Sequence, residues 1–170
     1  MGRDKRNERL PDHYTMMRRG VMDNDAWRAL SPYAQALYPW LRLEWKGEKA
    51  NNNGKLRLSV RQASERMGCG INTASRAFHD LQAKGFIVVT ENARLGIGGN
   101  AQSPAYEMTE IALPHGMERG GRNLYRQWKE GQDYPVHKTM TNNPTGKRGN
   151  LEPCHHYGDG TVTKLVTVRQ

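Results

Sequence analysis

The sequence predicts an α+β fold that is mainly helical, a three-helix core closed by a small antiparallel sheet and flanked by extensions at both ends. Three observations carry this. The stretch SVRQASERMGCGINTASRAFHDLQAKGFI, Ser59 to Ile87, reads as a short helix, a glycine turn, a longer helix and the start of a strand. FIVVTE, Phe86 to Glu91, is β-branched and bounded by Gly85 and Asn92, and AYEMT, Ala105 to Thr109, reads as its antiparallel partner. Finally, hydrophobic residues make up 36% of 170 and mean hydropathy is −0.88, too lean for a core running end to end. One compact domain of roughly 90–100 residues is therefore expected. It is placed at 21–113, between a basic arm, 1–20, and a polar, partly disordered extension, 114–170.

In the arm, Arg3, Lys5, Arg6, Arg9, Arg18 and Arg19 outnumber Asp4, Glu8 and Asp12. It reads either as a solubilising tail or as an arm that grips phosphate or a minor groove. The folded part starts near Val21. DAWRAL, Asp25 to Leu30, makes a short helical turn that offers Trp27 and Leu30 to the core. Ser31 then caps a new helix with Pro32 at its first position, where a missing N–H is harmless. Tyr33, Leu37, Trp40, Leu41 and Glu44 fall on one stripe of this helix, and Pro39 predicts a kink near Leu37 and Tyr38. The aromatics Tyr33, Tyr38, Trp40 and Trp45 read as core rather than as base-stacking groups.

GEKANNNG, Gly47 to Gly54, is a polar loop, and Lys55 to Leu58 alternates as a short strand with Leu56 and Leu58 inward. Ser59 and Gln62 match a capping box, so a helix starts there. Val60, Ala63, Ser64 and Met67 share its inner face. Gly68 supplies the turn, and Cys69 is a small apolar plug without a nearby ligand partner. The next helix is predicted over 71–84, capped by Gly70 and stopped by Gly85. Ala74, Ala77, Phe78 and Leu81 recur at helical spacing and fix its buried face. Asn72, Thr73, Arg76, His79, Asp80 and Ala83 then lie opposite.

This is the order of a helix-turn-helix leading into a β-wing, which puts double-stranded DNA first among candidate partners. Arg76 can bond a guanine bidentately and Asn72 an adenine, while Thr73 and Ser75 suit phosphate or a thymine methyl. His79 continues the same face. Lys55, Arg57, Arg61 and Arg66 read as phosphate clamps. The segment NARLGIGGNAQSP, Asn92 to Pro104, is either a wing, with Arg94, Asn100 and Gln102 as groove or phosphate contacts, or a simple mobile loop.

The segment Gly68 to Phe78, GCGINTASRAF, followed by LQAKGFI, Leu81 to Ile87, resembles winged helix-turn-helix proteins of bacteria. More narrowly, DAWRALSP, Asp25 to Pro32, with Ala36, Leu37 and Tyr38, is similar to small helix-turn-helix proteins of plasmids, prophages and conjugative elements. The likeness runs from about Leu10 to Thr109. It implies that Thr73, Ser75 and Arg76 face the major groove and that the hairpin after Phe86 is the wing; the helix-turn-helix and wing together with the net positive charge make a transcriptional regulator of a mobile element the first expectation. An accessory role in plasmid or phage replication, partition or excision uses the same module, as does a winged helix turned to protein–protein inhibition. Two residues depart from the pattern: Pro39 interrupts a helix that is continuous in relatives, and Gly70 replaces a serine or threonine cap.

A formal charge of +9 and a pI near 9.8 agree with a polyanionic partner, nucleic acid before membrane because no basic amphipathic helix stands out. No apolar run is long enough to span a bilayer and the first residues lack a signal-peptide core, which predicts a cytoplasmic protein. Cys69 and Cys154 lie in unlike contexts, so no disulfide framework is expected. Paired carboxylates, a nucleophile with its base and metal-ligand spacing are all missing, which predicts a non-enzyme without cofactor or metal. Cys154, His155 and His156 form a single cluster where structural zinc needs spaced pairs. In the extension, Leu124 to Lys129 reads either as a short docking helix or as an exposed partner-binding motif. Thr161 to Val168 is β-prone without a local partner. No heptad seam identifies a homodimer interface, which leaves the first helix, its aromatics and the C-terminal tail as candidates.

Overall fold

A computed structural model of the chain describes residues 14–95, 101–114, 116 and 120–138. The order is α1 (Arg19–Met22), α2 (Asp25–Arg28), α3 (Pro32–Leu43), a 3₁₀ turn (Glu48–Ala50), β1 (Leu56–Arg57), α4 (Val60–Met67) and α5 (Ile71–Ala83). These are followed by β2 (Ile87–Glu91), β3 (Arg94–Leu95), β4 (Ala101–Gln102), β5 (Ala105–Met108) and a second 3₁₀ turn (Leu124–Arg126). The architecture is α+β and mainly helical: α3, α4 and α5 pack on one another beside a three-stranded antiparallel sheet in the order β1-β5-β2. β3 and β4 pair as a separate ribbon that extends the β2–β5 hairpin, Arg94 opposite Gln102.

Local chemistry sets the helix ends. The Asn24 side chain accepts from Trp27 N–H at the start of α2, and Ser31 accepts from Ala34 N–H with Pro32 at the first helical position of α3. Ser59 and Gln62 close a reciprocal capping box on α4. Gly68 ends α4 in the left-handed region at φ 63°, and Gly85 follows α5 at φ 75°, both conformations costly for a side chain bearing a Cβ.

The core joins Leu37, Tyr38 and Leu41 of α3, Ala63 of α4 and Ala74, Ala77, Phe78 and Leu81 of α5 to Leu56, Leu58, Ile87, Tyr106 and Met108 of the sheet region. The alanines of α4 and α5 let the helices approach closely. Trp27, Tyr38 and Phe86 meet edge to face, with ring centroids 5.4–5.7 Å apart, and Phe78 stacks on Tyr106.

Several expectations change here. The buried stripe of α3 is Ala34, Leu37, Tyr38, Leu41 and Arg42, one step round from the expected one, and Tyr33 is 48% exposed. The reason is Glu110, buried beyond β5, whose Oε2 accepts from the Tyr38 hydroxyl at 2.5 Å and from Arg42 Nη1 at 2.6 Å. A charged residue that reads as surface is thus drawn inward by its partner. The helix α3 runs from Pro32 to Leu43 with Pro39 inside it, and Leu37, Tyr38 and Leu41 on either side of the proline are buried in the core. The asparagine loop is a polar staple. Asn53, 1% exposed, donates to the carbonyls of Met108 and Ile111 and accepts from Met108 N–H. Asn51 accepts from Trp45 Nε1 and donates to the Ala112 carbonyl.

Packing also continues beyond residue 113. Tyr125 is 1% exposed and stacks on Phe86 with centroids 4.9 Å apart. Arg122 makes a bidentate pair with the buried Glu107, and Asn123 N–H donates to the Thr109 carbonyl at 2.7 Å. Of the two alternatives for Leu124 to Lys129, the docked turn is the one present. At the other end, Met17 packs on the core and Arg18 Nε lies 3.5 Å from Glu110, so contacts begin a few residues ahead of Val21.

Candidate nucleic-acid interface

The outer side of α5 is built from its register. With Ala74, Ala77, Phe78 and Leu81 committed to the core, the positions about half a turn away are pushed to the surface. Asn72 and Arg76 are exposed, and Thr73, Ser75 and His79 are half-buried beside them. Asn72, Ser75, Arg76 and His79 occupy one stripe, since three- and four-residue steps return to the same side of a helix. The start of α5 carries no side-chain cap, because Gly70 has none to offer. Its first N–H groups are therefore available to an acceptor from outside, such as a phosphate oxygen. Ile71 at this end is 55% exposed. Periodicity alone extends the apolar stripe to Ile71 and so hides this; the first turn reaches past the core that covers Ala74.

The predicted clamps divide sharply. Arg61 is exposed on α4 and Lys55 is exposed just before β1, and neither has an ion-pair partner among the described residues. Arg57 is taken up inside the fold instead. Its guanidinium binds the Glu91 carboxylate and the Ser103 carbonyl, tying β1 to the base of the hairpin. Arg66 bonds Glu44 at 2.6 Å and lies over the Trp40 ring, so it joins α4 to α3. Both corrections have one cause: a carboxylate at the right place on a neighbouring element neutralises the cation before any ligand can. Arg94 is exposed on β3 and donates to Gln102 across the ribbon. Asn100 lies outside the described residues, as do the Cys154, His155, His156 cluster and Thr161 to Val168.

Two residues expected on the outer face of α5 are turned to other work. Asp80 Oδ2 accepts from the Ser31 N–H at 2.7 Å, and its other oxygen pairs with Lys84 at 3.3 Å. Ala83 is 8% exposed because the chain at Tyr134 crosses it. The usable face of α5 is thereby confined to its first two or three turns. His79 has its pKa lowered by partial burial and by the nearby charge of Lys138, which keeps the imidazole neutral at physiological pH.

Among the described residues, no group of three or more His, Cys, Asp or Glu is placed to hold a metal ion, and no helix is long and apolar enough to cross a membrane. Comparison of the chain with protein families, with curated proteins and with solved structures finds no match.

Proposed function

We propose that this protein binds double-stranded DNA as a winged helix-turn-helix, with the N-terminal half of α5 in the major groove. The observation that carries the reading is the contrast among the cations of α4 and α5. Arg66 is neutralised by Glu44 of α3, and Lys84, at the end of α5, by Asp80 of the same helix and by Asp133, whereas Arg61 and Arg76 stand exposed without an ion-pair partner among the described residues. An exposed arginine beside an exposed asparagine at an uncapped helix start matches the chemistry of base edges flanked by phosphates. Arg76 reads a guanine, Asn72 an adenine, Ile71 and Thr73 a thymine methyl or a phosphate. Arg61 and Lys55 hold the backbone. β3 and β4 form the wing, with Arg94 on it. The likeness to plasmid and prophage proteins makes transcriptional regulation of a mobile element the proposed biological role.

Selection of bound duplexes from a random pool tests this directly. A recovered consensus is expected, and a palindromic one indicates a homodimer. Arg76→Ala should cost about 1–3 kcal/mol on the consensus and relax the preference at one position, with a smaller effect on mixed-sequence DNA. No preference for any duplex at low salt removes the proposal.

A further inference from the structure

Beyond the sheet the chain returns to α5 and docks on its last turn. The Tyr134 N–H donates to the Ala83 carbonyl at 2.9 Å, and the Tyr134 hydroxyl donates to the Leu124 carbonyl at 3.0 Å. Three residues on, the His137 N–H donates to Gln82 Oε1 at 2.8 Å. Gly85 makes this approach possible, because a Cβ there would sit 2.7 Å from the Tyr134 ring. Residues 134–137 are therefore pinned to the last turn of α5, at Ala83 and Gln82. Along the outer stripe of α5, Asn72 and Arg76 are open, His79 is half-buried and Ala83 is covered. Lys138 comes next. It is exposed, has no ion-pair partner among the described residues and is near enough to His79 for its charge to act on the imidazole. Lys84, at the far end of the same helix, is held by Asp80 and Asp133.

We infer that Tyr134–Lys138 is part of the DNA-contacting surface, closing the C-terminal end of the reading face and presenting the Lys138 ammonium to a backbone phosphate at the groove border. The inference rests on the reading of α5 as a helix in the major groove. The rise from Asn72 to His79 is about 10 Å, comparable to a major groove about 8.5 Å deep. A helix that enters by its N-terminus thus brings its third turn level with the phosphates. Sequence could not supply this contact, because Lys138 follows α5 by more than fifty positions and is brought back only by the docking of Tyr125 and Tyr134.

The test uses the full chain with Lys138→Ala, Lys138→Arg and, as an exposed control, Lys129→Ala. Binding to a selected duplex and to a mixed-sequence duplex is measured by fluorescence anisotropy across a salt series. Lys138→Ala should weaken both about 5–10-fold near 0.1 M salt and reduce the slope of log affinity against log salt by about one. The ratio between the duplexes should stay constant, Lys138→Arg should keep both affinity and slope, and Lys129→Ala should change neither. Unchanged affinity and slope for Lys138→Ala overturns the inference and leaves the reading of α5 standing. So does a loss confined to one duplex, an equal loss with Lys129→Ala, or a loss that Lys138→Arg shares. A wild-type chain that binds no duplex overturns the reading of α5 and this inference with it.

Discussion

Replacing Glu110 by Gln isolates the charge that holds α3 to the end of the sheet. Glu110 is 6% exposed and Arg42 5% exposed, and their side chains meet at 2.6 Å with the Tyr38 hydroxyl on the same carboxylate oxygen. Arg42 Nε and Glu110 Oε1 have no hydrogen-bond partner; Glu110 is also approached by the exposed Arg18, Nε 3.5 Å from Oε1, whereas the Arg42 guanidinium has Glu110 as its one ion-pair partner among the described residues and otherwise lies 5.9 Å from the Trp45 ring centroid. Glutamine keeps the size and still accepts from Tyr38 and Arg42, but it leaves a guanidinium charge buried alone. Breaking one partner of a buried pair costs about 3–5 kcal/mol, and the retained acceptor places this case near about 3 kcal/mol. That is a large part of the stability of a domain this size, about 5–15 kcal/mol. Urea unfolding followed by tryptophan fluorescence reads it well, since the buried Trp27 lies against Tyr38. The midpoint should fall with an unchanged slope. Arg42→Met added to Glu110→Gln removes the orphaned charge and should recover most of the loss. If Glu110→Gln costs less than about 1 kcal/mol, as an exposed pair would, the buried-charge account is refuted.

Three further outcomes follow from the packing. Gly68→Ala should cost about 1–2 kcal/mol for the left-handed backbone alone, since a Cβ there meets open space, whereas Gly85→Ala adds a collision with the Tyr134 ring and should cost clearly more; equal unfolding midpoints for the two contradict the docking of 134–138. Asn53→Ala strands the Met108 and Ile111 backbone groups and should cost about 2–4 kcal/mol in the same assay, against a few tenths if water replaces the amide freely. Burial, reinforced by Glu110, raises the pKa of Tyr38 well above its ordinary value, and burial raises that of Tyr106. The folded chain then holds protons that the unfolded chain releases above about pH 10. Stability from these groups is full below that pH and is lost as pH rises beyond it. Urea midpoints that stay level between pH 9 and about 11.5 contradict this.

The amino-acid sequence by itself determines the local grammar of the fold. Ser59 with Gln62, Gly68, Gly70 and Gly85 bound α4 and α5 because caps and positive-φ turns depend on residues a few positions apart. The spacing of Ala74, Ala77, Phe78 and Leu81 likewise defines the buried side of α5, and with it Asn72 and Arg76 on the outside. Which polar residues remain available for a ligand is decided only by tertiary structure. Arg57, Arg61 and Arg66 look alike along the chain, yet Glu91 and Glu44 claim two of them from elements far off in sequence. Arg42 is drawn inward by Glu110, and Ala83 is covered by the chain at Tyr134. Periodicity reports the direction of a side chain from its own helix axis. It carries nothing about the carboxylate, ring or backbone that another part of the chain brings to meet it.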